Sequence, residues 1–342
     1  MATRRARIVG VGHHVPERVV TNDDLTQWMD TSDAWIRQRS GIRARRWVEE
    51  DSPTATSDLG LVAAQRALAD AGLDASAVDM IVFATLSPDR AFPGSACYLQ
   101  AKLGRPGIPA LDIRQQCAGF VYGLSIADLY VRAGEADCVL LVGAEVHSKC
   151  MDISTRGREM SVLFGDGAGA VVVRATEVED AGSRSRESFI LGSVLHADGR
   201  YAEELVWPAP GTAQRVWNPP ELTGTAEVFP RMNGRTVFTH AVQRMPEVTR
   251  EILARHGVTV DDVDLFVLHQ ANRRINERVA DDLGVDHARV VSTIEDYANT
   301  TAATIPIGLS VAKSDGRLRP GMLVCSAAFG SGFTWGAALY RW

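Results

Sequence analysis

The 342-residue chain contains no run of about 18 consecutive apolar residues, which excludes a membrane-spanning helix. Its basic start, Ala2-Thr-Arg-Arg-Ala-Arg7, leads only into Ile8-Val-Gly-Val11, too short for the apolar core of a secretory signal. The five cysteines are odd in number and have no framework spacing, so a disulfide scaffold is excluded and a reducing compartment, the cytoplasm, is expected. A net charge of −6 argues against a nucleic-acid partner. No metal site is expected. The glycine-rich run Phe164-Gly-Asp-Gly-Ala-Gly169 has neither the Walker lysine nor dinucleotide-fingerprint spacing, and a strand follows it where a phosphate-binding helix should begin. Tight backbone packing is the better account of it. With 46% hydrophobic residues, the chain is long enough to bury a large core.

The strongest organisational feature is an internal duplication. Ala67-Leu-Ala-Asp-Ala-Gly72 followed by Val78-Asp-Met-Ile-Val-Phe83 returns as Ile252-Leu-Ala-Arg-His-Gly257 followed by Val263-Asp-Leu-Phe-Val-Leu268, a shift of 185 residues from Gly72 to Gly257. At the same shift Gly123-Leu-Ser-Ile-Ala127 matches Gly308-Leu-Ser-Val-Ala312, and Asp137-Cys-Val-Leu-Leu-Val142 matches Met322-Leu-Val-Cys-Ser-Ala327. Residues 57–71 carry apolar positions at helical spacing. The short apolar runs 80–85, 138–142, 169–174, 264–268 and 322–327 read as strands of parallel-rich sheets covered by helices on both faces. Such sheets bind ligands at the carboxyl ends of their strands, which predicts one cleft shared by the two halves. The expected organisation is an N-terminal half, 1–175, a variable insert, 176–235, with Pro-rich runs around Trp207 and Trp217, and the core of a C-terminal half, 236–342.

Three polar residues fall where strands end or helices begin. Cys117 opens a helix of about 17 residues, where unpaired N–H groups and a partial positive charge favour a thiolate. Free cysteines are usually small buried hydrophobes, and Cys97, Cys138, Cys150 and Cys325 fit that description. His269 follows the strand Leu265-Phe-Val-Leu268, and Asn299 precedes Ala302, the counterpart of Cys117 in the second half. Alone, a histidine is most often a packed imidazole and an asparagine a helix cap. Brought to one pseudo-twofold axis, the three point to catalysis by a nucleophilic sulfur.

The runs Gln116-Cys-Ala-Gly-Phe-Val-Tyr122, Leu268-His-Gln-Ala-Asn-Arg-Arg-Ile275, Ala298-Asn-Thr-Thr-Ala-Ala303, Phe164-Gly-Asp-Gly-Ala-Gly-Ala170 and Gly332-Phe-Thr-Trp-Gly336 resemble the β-ketoacyl-acyl-carrier-protein synthase III family of the thiolase superfamily. The resemblance spans nearly the whole chain, in order. It implies a thiolase-like α/β fold of five layers, αβαβα, from two duplicated halves, a homodimer, and a Cys117-His269-Asn299 active site. It also implies an acyltransferase that performs a decarboxylating condensation. Cys117 takes an acyl group from coenzyme A, with oxyanion donors in its own N–H and in the Gly330-Ser331-Gly332 loop. His269 and Asn299 hold the thioester carbonyl of a malonyl group, carried on acyl carrier protein, as carbon dioxide leaves.

By the same resemblance Thr31, Trp35, Arg39, Asn272 and Arg274 form the coenzyme A site, with Trp35 stacking on adenine, and Phe92 closes the partner's acyl pocket; the planar guanidinium of Arg158 is expected to cover the other side of the base. Coenzyme A is a substrate, and no tightly bound cofactor is implied. Two departures stand out. Asp281 and Asp282 replace paired lysines of the carrier-docking surface and Thr239 replaces another, although Arg235, Arg273, Arg274, Arg278 and Arg289 offer compensating charge. Ser331 replaces a glycine of the terminal loop. The alternatives are an acyltransferase or specialised condensing enzyme using the same triad on a non-malonyl acceptor, a cleaving thiolase, for which a second catalytic cysteine is missing, and a silent heterodimer subunit, whose triad would be broken. The primer, and the choice between fatty-acid initiation and a polyketide-type pathway, are left open.

Overall fold

In a computed structural model, which describes residues 2–342, the duplication is visible as two sheets built to one plan. The first half contributes β1 (Thr3–His14), α1 (Asp33–Ser40), α2 (Thr56–Asp70), β2 (Met80–Ala84), α3 (Ser95–Lys102), β3 (Ala110–Ile113), α4 (Gly119–Ala133), β4 (Cys138–Glu145) and β5 (Gly167–Val178). The second contributes β6 (Ile190–Ala197), α5 (Gly234–Arg255), β7 (Leu265–Leu268), α6 (Arg273–Leu283), α7 (Thr304–Ser314), β8 (Leu323–Gly330) and β9 (Thr334–Arg341).

The sheets run β1-β5-β4-β2-β3 and β6-β9-β8-β7. β2 pairs parallel with β3 and β4, and β7 pairs parallel with β8, whereas the pairs β4–β5, β5–β1, β8–β9 and β9–β6 are antiparallel. The sheets are therefore mixed rather than parallel-rich. In the place of β3 the second half keeps only a parallel bridge from Phe266 to Val290.

The strands are almost wholly apolar because both faces are covered. Val139 and Leu141 of β4 face a central core holding Phe120, Leu124 and Ala127 of α4 together with Ile305 and Leu309 of α7. Leu140 and Val142 alternate to the outer face, under Leu59, Ala63 and Ala67 of α2. Across the molecule, α5 and α6 cover the outer face of the second sheet through Met245, Ile252 and Val279. This stacking is the five-layered thiolase-like arrangement, α/β/α/β/α.

Two long strands escape the sequence reading. β1 alternates Arg5 and Arg7 with buried Ala6 and Ile8, so its basic residues mask a half-buried strand. β6 lies inside the expected insert 176–235, yet it pairs with β9 from Ala197↔Thr334 to Ile190↔Tyr340, and residues from 198 to 233 form the irregular excursion. The glycine-rich run is closely packed: a Cβ on Gly169 would stand 2.8 Å from Ile307 N and from Pro306.

Candidate active site

Cys117 sits on a 3-10 turn, Gln116–Ala118, directly ahead of α4. Gln116 enters that turn in the left-handed region, at φ 40°, where a side chain costs about 1 kcal/mol or more. The second half repeats the device. Thr301, 185 residues on, has φ 51° and opens the 3-10 turn Thr301–Ala303 ahead of α7. The turns meet at the axis, where a Cβ on Gly119 would be 3.0 Å from Ala84 Cβ and 3.2 Å from Ala302 Cβ.

His269 continues β7, its N–H donating to the Ala327 carbonyl at 2.9 Å. Its Nδ1 lies 2.7 Å from Thr304 Oγ1, and its buried Nε2 has no hydrogen-bond partner. Asn299 is pinned across the two halves: its N–H donates to Leu163 O at 2.9 Å, and its carbonyl accepts from Gly165 N at 3.1 Å. Its Oδ1 accepts from Thr301 N at 2.8 Å, so Nδ2 is the end left to donate. Thr301 Oγ1 in turn lies 2.7 Å from Nε2 of buried His147. Cys117, His269 and Asn299 are 8%, 1% and 5% exposed, and all three line one cavity of about 340 Å³.

That cavity is also lined by Trp35, Arg39, Phe238, Asn272 and Arg274, but not by Thr31 or Arg158. Half-buried Trp35 carries the Arg39 guanidinium 4.4 Å from its ring centroid and that of Arg158 at 5.2 Å. Arg158 is tethered to the Asp30 carbonyl and carboxylate. Asn272 caps α6, its Oδ1 accepting from Arg274 N at 2.9 Å and its Nδ2 donating to Arg39 O at 2.9 Å, so its amide links two elements of the mouth.

A second cavity, of about 1020 Å³, opens on the other side of Cys117 and is lined by Gln116, Leu86, Tyr98, Trp207, Trp217, Ser331 and Gly332. The tryptophans of the excursion thus roof this space, with Trp207 Nε1 tied to Val228 O at 2.8 Å. Phe92 lines neither cavity and is 85% exposed.

The electrostatics correct one expectation. Burial first, and the negative charge of Glu145 second, push the Cys117 thiol up to about 12, although the N–H groups of Cys117 and Ser331 pull the other way. The resting sulfur is a thiol, because two N–H donors do not outweigh full desolvation. Burial likewise holds His269 at about 3, against a hydrogen bond to the Thr301 carbonyl. The loop donors nonetheless stand beside the sulfur: a Cβ on Gly330 would be 2.6 Å from Cys117 Cβ and 3.2 Å from Sγ.

Glu145, Thr301 and Thr304 were not distinguishable in the sequence. Glu145 is buried and accepts from Thr85 Oγ1 at 3.0 Å, Ser87 N at 3.1 Å, Ser87 Oγ at 2.6 Å and Leu86 N at 3.2 Å, and burial raises its carboxyl to about 7. Among the departures, Asp282 is paired with Arg250 at 2.6 Å and Asp281 with His287 at 2.9 Å. Arg289 donates to the Val260 and Val263 carbonyls, so it does not join Arg235, Arg273, Arg274 and Arg278 as exposed charge near the mouth.

The family profile described as 3-oxoacyl-[acyl-carrier-protein] synthase III matches residues 111–199, and that of its C-terminal part matches residues 253–342. The β-ketoacyl-[acyl-carrier-protein] synthase III of Rhodospirillum rubrum is 48% identical over 339 residues, covering 98% of this chain and 99% of the relative. The 3-oxoacyl-[acyl-carrier-protein] synthase III structure from Aquifex aeolicus superposes with a TM-score of 0.87 at 39% identity, covering 98% of this chain and all of that one. The priming β-ketosynthase of the R1128 polyketide pathway gives 0.86 at 32% identity, covering 100% of this chain and 98% of that one.

Proposed function

The chain belongs to the 3-oxoacyl-[acyl-carrier-protein] synthase III family, and on that basis we propose a division of its condensing chemistry among Cys117, His269 and Asn299. The enzyme is an acyltransferase that joins an acyl primer to a malonyl thioester with loss of carbon dioxide. Cys117 accepts the acyl group from coenzyme A. The N–H groups of Cys117 and Ser331 hold the oxyanion, and His269 Nε2 and Asn299 Nδ2 bind the malonyl thioester oxygen, where an enolate carries more charge than the ground-state carbonyl. The electrons move between sulfur, carbonyl and carboxylate carbons, so the reaction needs no redox cofactor, and coenzyme A takes part as a substrate.

One observation carries the reading: a sulfur, an imidazole and a carboxamide from the two halves open on a single buried cavity with Trp35 and Arg39 at its mouth. Coenzyme A enters along that mouth, and the acyl chain occupies the cavity beyond Cys117. The malonyl group arrives on acyl carrier protein. With Asp282 paired to Arg250, the exposed Arg235, Arg274 and Arg278 present positive charge to an acidic carrier. Phe92 and the edge strand β3, with Leu111 37% exposed, support a homodimer in which Phe92 reaches the partner's acyl cavity. No described helix is long and apolar enough to cross a membrane, and the cytoplasm is the proposed site of action.

Intact-mass measurement after mixing with acyl-CoA tests the nucleophile: an adduct is expected on the native protein and none on Cys117→Ala. An adduct that persists in the variant removes Cys117 from this role. Carbon dioxide released from malonyl-carrier separates condensation from acyl transfer to a non-malonyl acceptor. The size of the second cavity and the likeness to a polyketide priming synthase favour, as a second reading, a specialised primer larger than acetyl, which a panel of acyl-CoAs resolves.

A further inference from the structure

Ser331 stands between Gly330 and Gly332, so it brings the one side chain to the loop whose N–H lies beside the Cys117 sulfur. Its hydroxyl donates to the carbonyl of Leu205, in the excursion 198–233. The same loop is tied to the start of that excursion by the backbone. Phe333 N–H donates to Asp198 O at 2.9 Å, and Asp198 N–H donates to Phe333 O at 2.8 Å. Tyr201 lies nearly parallel to the Phe333 ring, with centroids 5.2 Å apart. The donor loop and the excursion are therefore joined twice, at Asp198 by peptide groups and at Leu205 by the Ser331 hydroxyl.

Leu205 is a wall of the reaction space. It lines both cavities, as Cys117 does, so it faces the thioester end of a bound acyl chain. With Val206 it forms a two-residue strand paired to Met232 and Arg231, and the next residue, Trp207, roofs the second cavity. A pair this short has little stability of its own, so the hydroxyl of Ser331 is a substantial part of what holds it.

We propose that the Ser331 side chain is a positioning group for primer choice: through the Leu205 carbonyl it couples the Ser331 N–H to the strand that walls the acyl cavity. This rests on the reading of Cys117 as nucleophile and of that N–H as an oxyanion donor. In acylation the bond from the acyl carbon to Cys117 Sγ forms, the bond from that carbon to the coenzyme A sulfur breaks, and the thiol proton of Cys117 ends on coenzyme A. The carbonyl oxygen gathers charge between these events, and a donor stabilises it only from hydrogen-bond distance. A primer that seats against Leu205 without moving it finds the N–H in place. A primer too wide for that wall pushes Leu205 outward, and then either the N–H follows or the Ser331 hydrogen bond breaks. Both slow the transfer. The width of the acyl group beside its thioester is thus read in the transition state and not only in binding.

The test uses butyryl-CoA and isobutyryl-CoA, isomers that differ in branching next to the carbonyl. Single-turnover acylation of Cys117 is followed by mass in the native enzyme, Ser331→Ala and Ser331→Gly; both variants keep the N–H and lose the hydroxyl. The native enzyme should take the straight chain about tenfold faster or more. In both variants that ratio should fall towards one, chiefly because butyryl loses about tenfold in the rate at saturation, with little change in the half-saturating concentration. Amide hydrogen exchange without substrate reads the joint itself: residues 204–208 and 229–233 should exchange about tenfold faster in Ser331→Ala than in the native protein. Unchanged exchange there overturns the proposal. So does a rate loss equal for the two primers, or a native enzyme that does not tell them apart. A native Cys117 that takes up no acyl group overturns the nucleophile reading and the proposal with it, and the exchange measurement still decides whether the hydroxyl holds the strand.

Discussion

Gln116 and Thr301 hold the same left-handed backbone conformation, φ 40° and 51°, at the same point of the two halves. In the first half the turn presents a sulfur. In the second it anchors the supports of the other two polar groups, since Thr301 serves Asn299 through its N–H and Thr304 through its carbonyl. Gln116→Gly should leave stability within about 1 kcal/mol, because relief of strain and the added freedom of the unfolded chain offset each other. Thr301→Gly relieves the same strain but loses the contact with His147, and should destabilise by about 1–2 kcal/mol in urea unfolding.

Gly330 has no room for a side chain. A methyl group there would stand 2.6 Å from Cys117 Cβ, so Gly330→Ala should cost about 1–3 kcal/mol of stability and displace the sulfur from the loop donors. Denaturant unfolding measures the first effect. A coenzyme A release burst at least about tenfold slower than native measures the second.

Asn299 and His269 should separate by half-reaction. Asn299→Ala is expected to form acyl-enzyme at close to the native rate while condensation falls by about 10²–10³, the scale for losing one preorganised oxyanion donor. His269→Ala should slow both steps. Stopped acylation and carbon dioxide release, measured side by side, distinguish them.

The buried carboxyl of Glu145 gives a pH dependence with a defined sign. Burial raises it from 4.5 to about 7, so the folded state retains a proton that the unfolded chain gives up. Its contribution is complete below pH 4.5 and is lost as pH rises through 7. Glu145→Gln does not titrate. The variant's stability deficit relative to native should therefore shrink as pH rises from about 5 to 8, by up to about 1.4 kcal/mol per unit, in unfolding measured across that range.

Trp35 offers an indole ring at the cavity mouth, half-buried and in contact with two cations. Trp35→Ala should raise KM for acyl-CoA about tenfold, on the scale of one lost base stack, with little change for an acyl thioester that has no adenine. Equal loss on both substrates would move Trp35 from recognition of the base to support of the fold.

The duplicated register made Cys117, His269 and Asn299 legible, since a constant shift places residues on a common axis without any knowledge of side-chain packing. It did not extend to Glu145, Thr301 and Thr304. These residue types serve as caps and surface groups elsewhere, and only burial and the identity of a neighbour give them a role. Burial was also invisible at Cys117 itself, where a helix start suggested a thiolate and desolvation yields a thiol. β1 and β6 were obscured for a different reason. One carries arginines on its outer face, and the other lies between a charged loop and a proline-rich stretch, so neither shows a plain apolar run.

Glu145 occupies in the first half the place that Gly330 holds in the second, 185 residues later. An ancestor made of two identical copies would have carried the same residue at both positions. Joining the copies in one polypeptide let the two strand ends diverge. The end with glycine lets its loop close against Cys117, and the end with the carboxylate fastens the loop at Leu86 and Ser87. Symmetry breaking of this kind lets one strand end serve the chemistry while its twin acts as a brace.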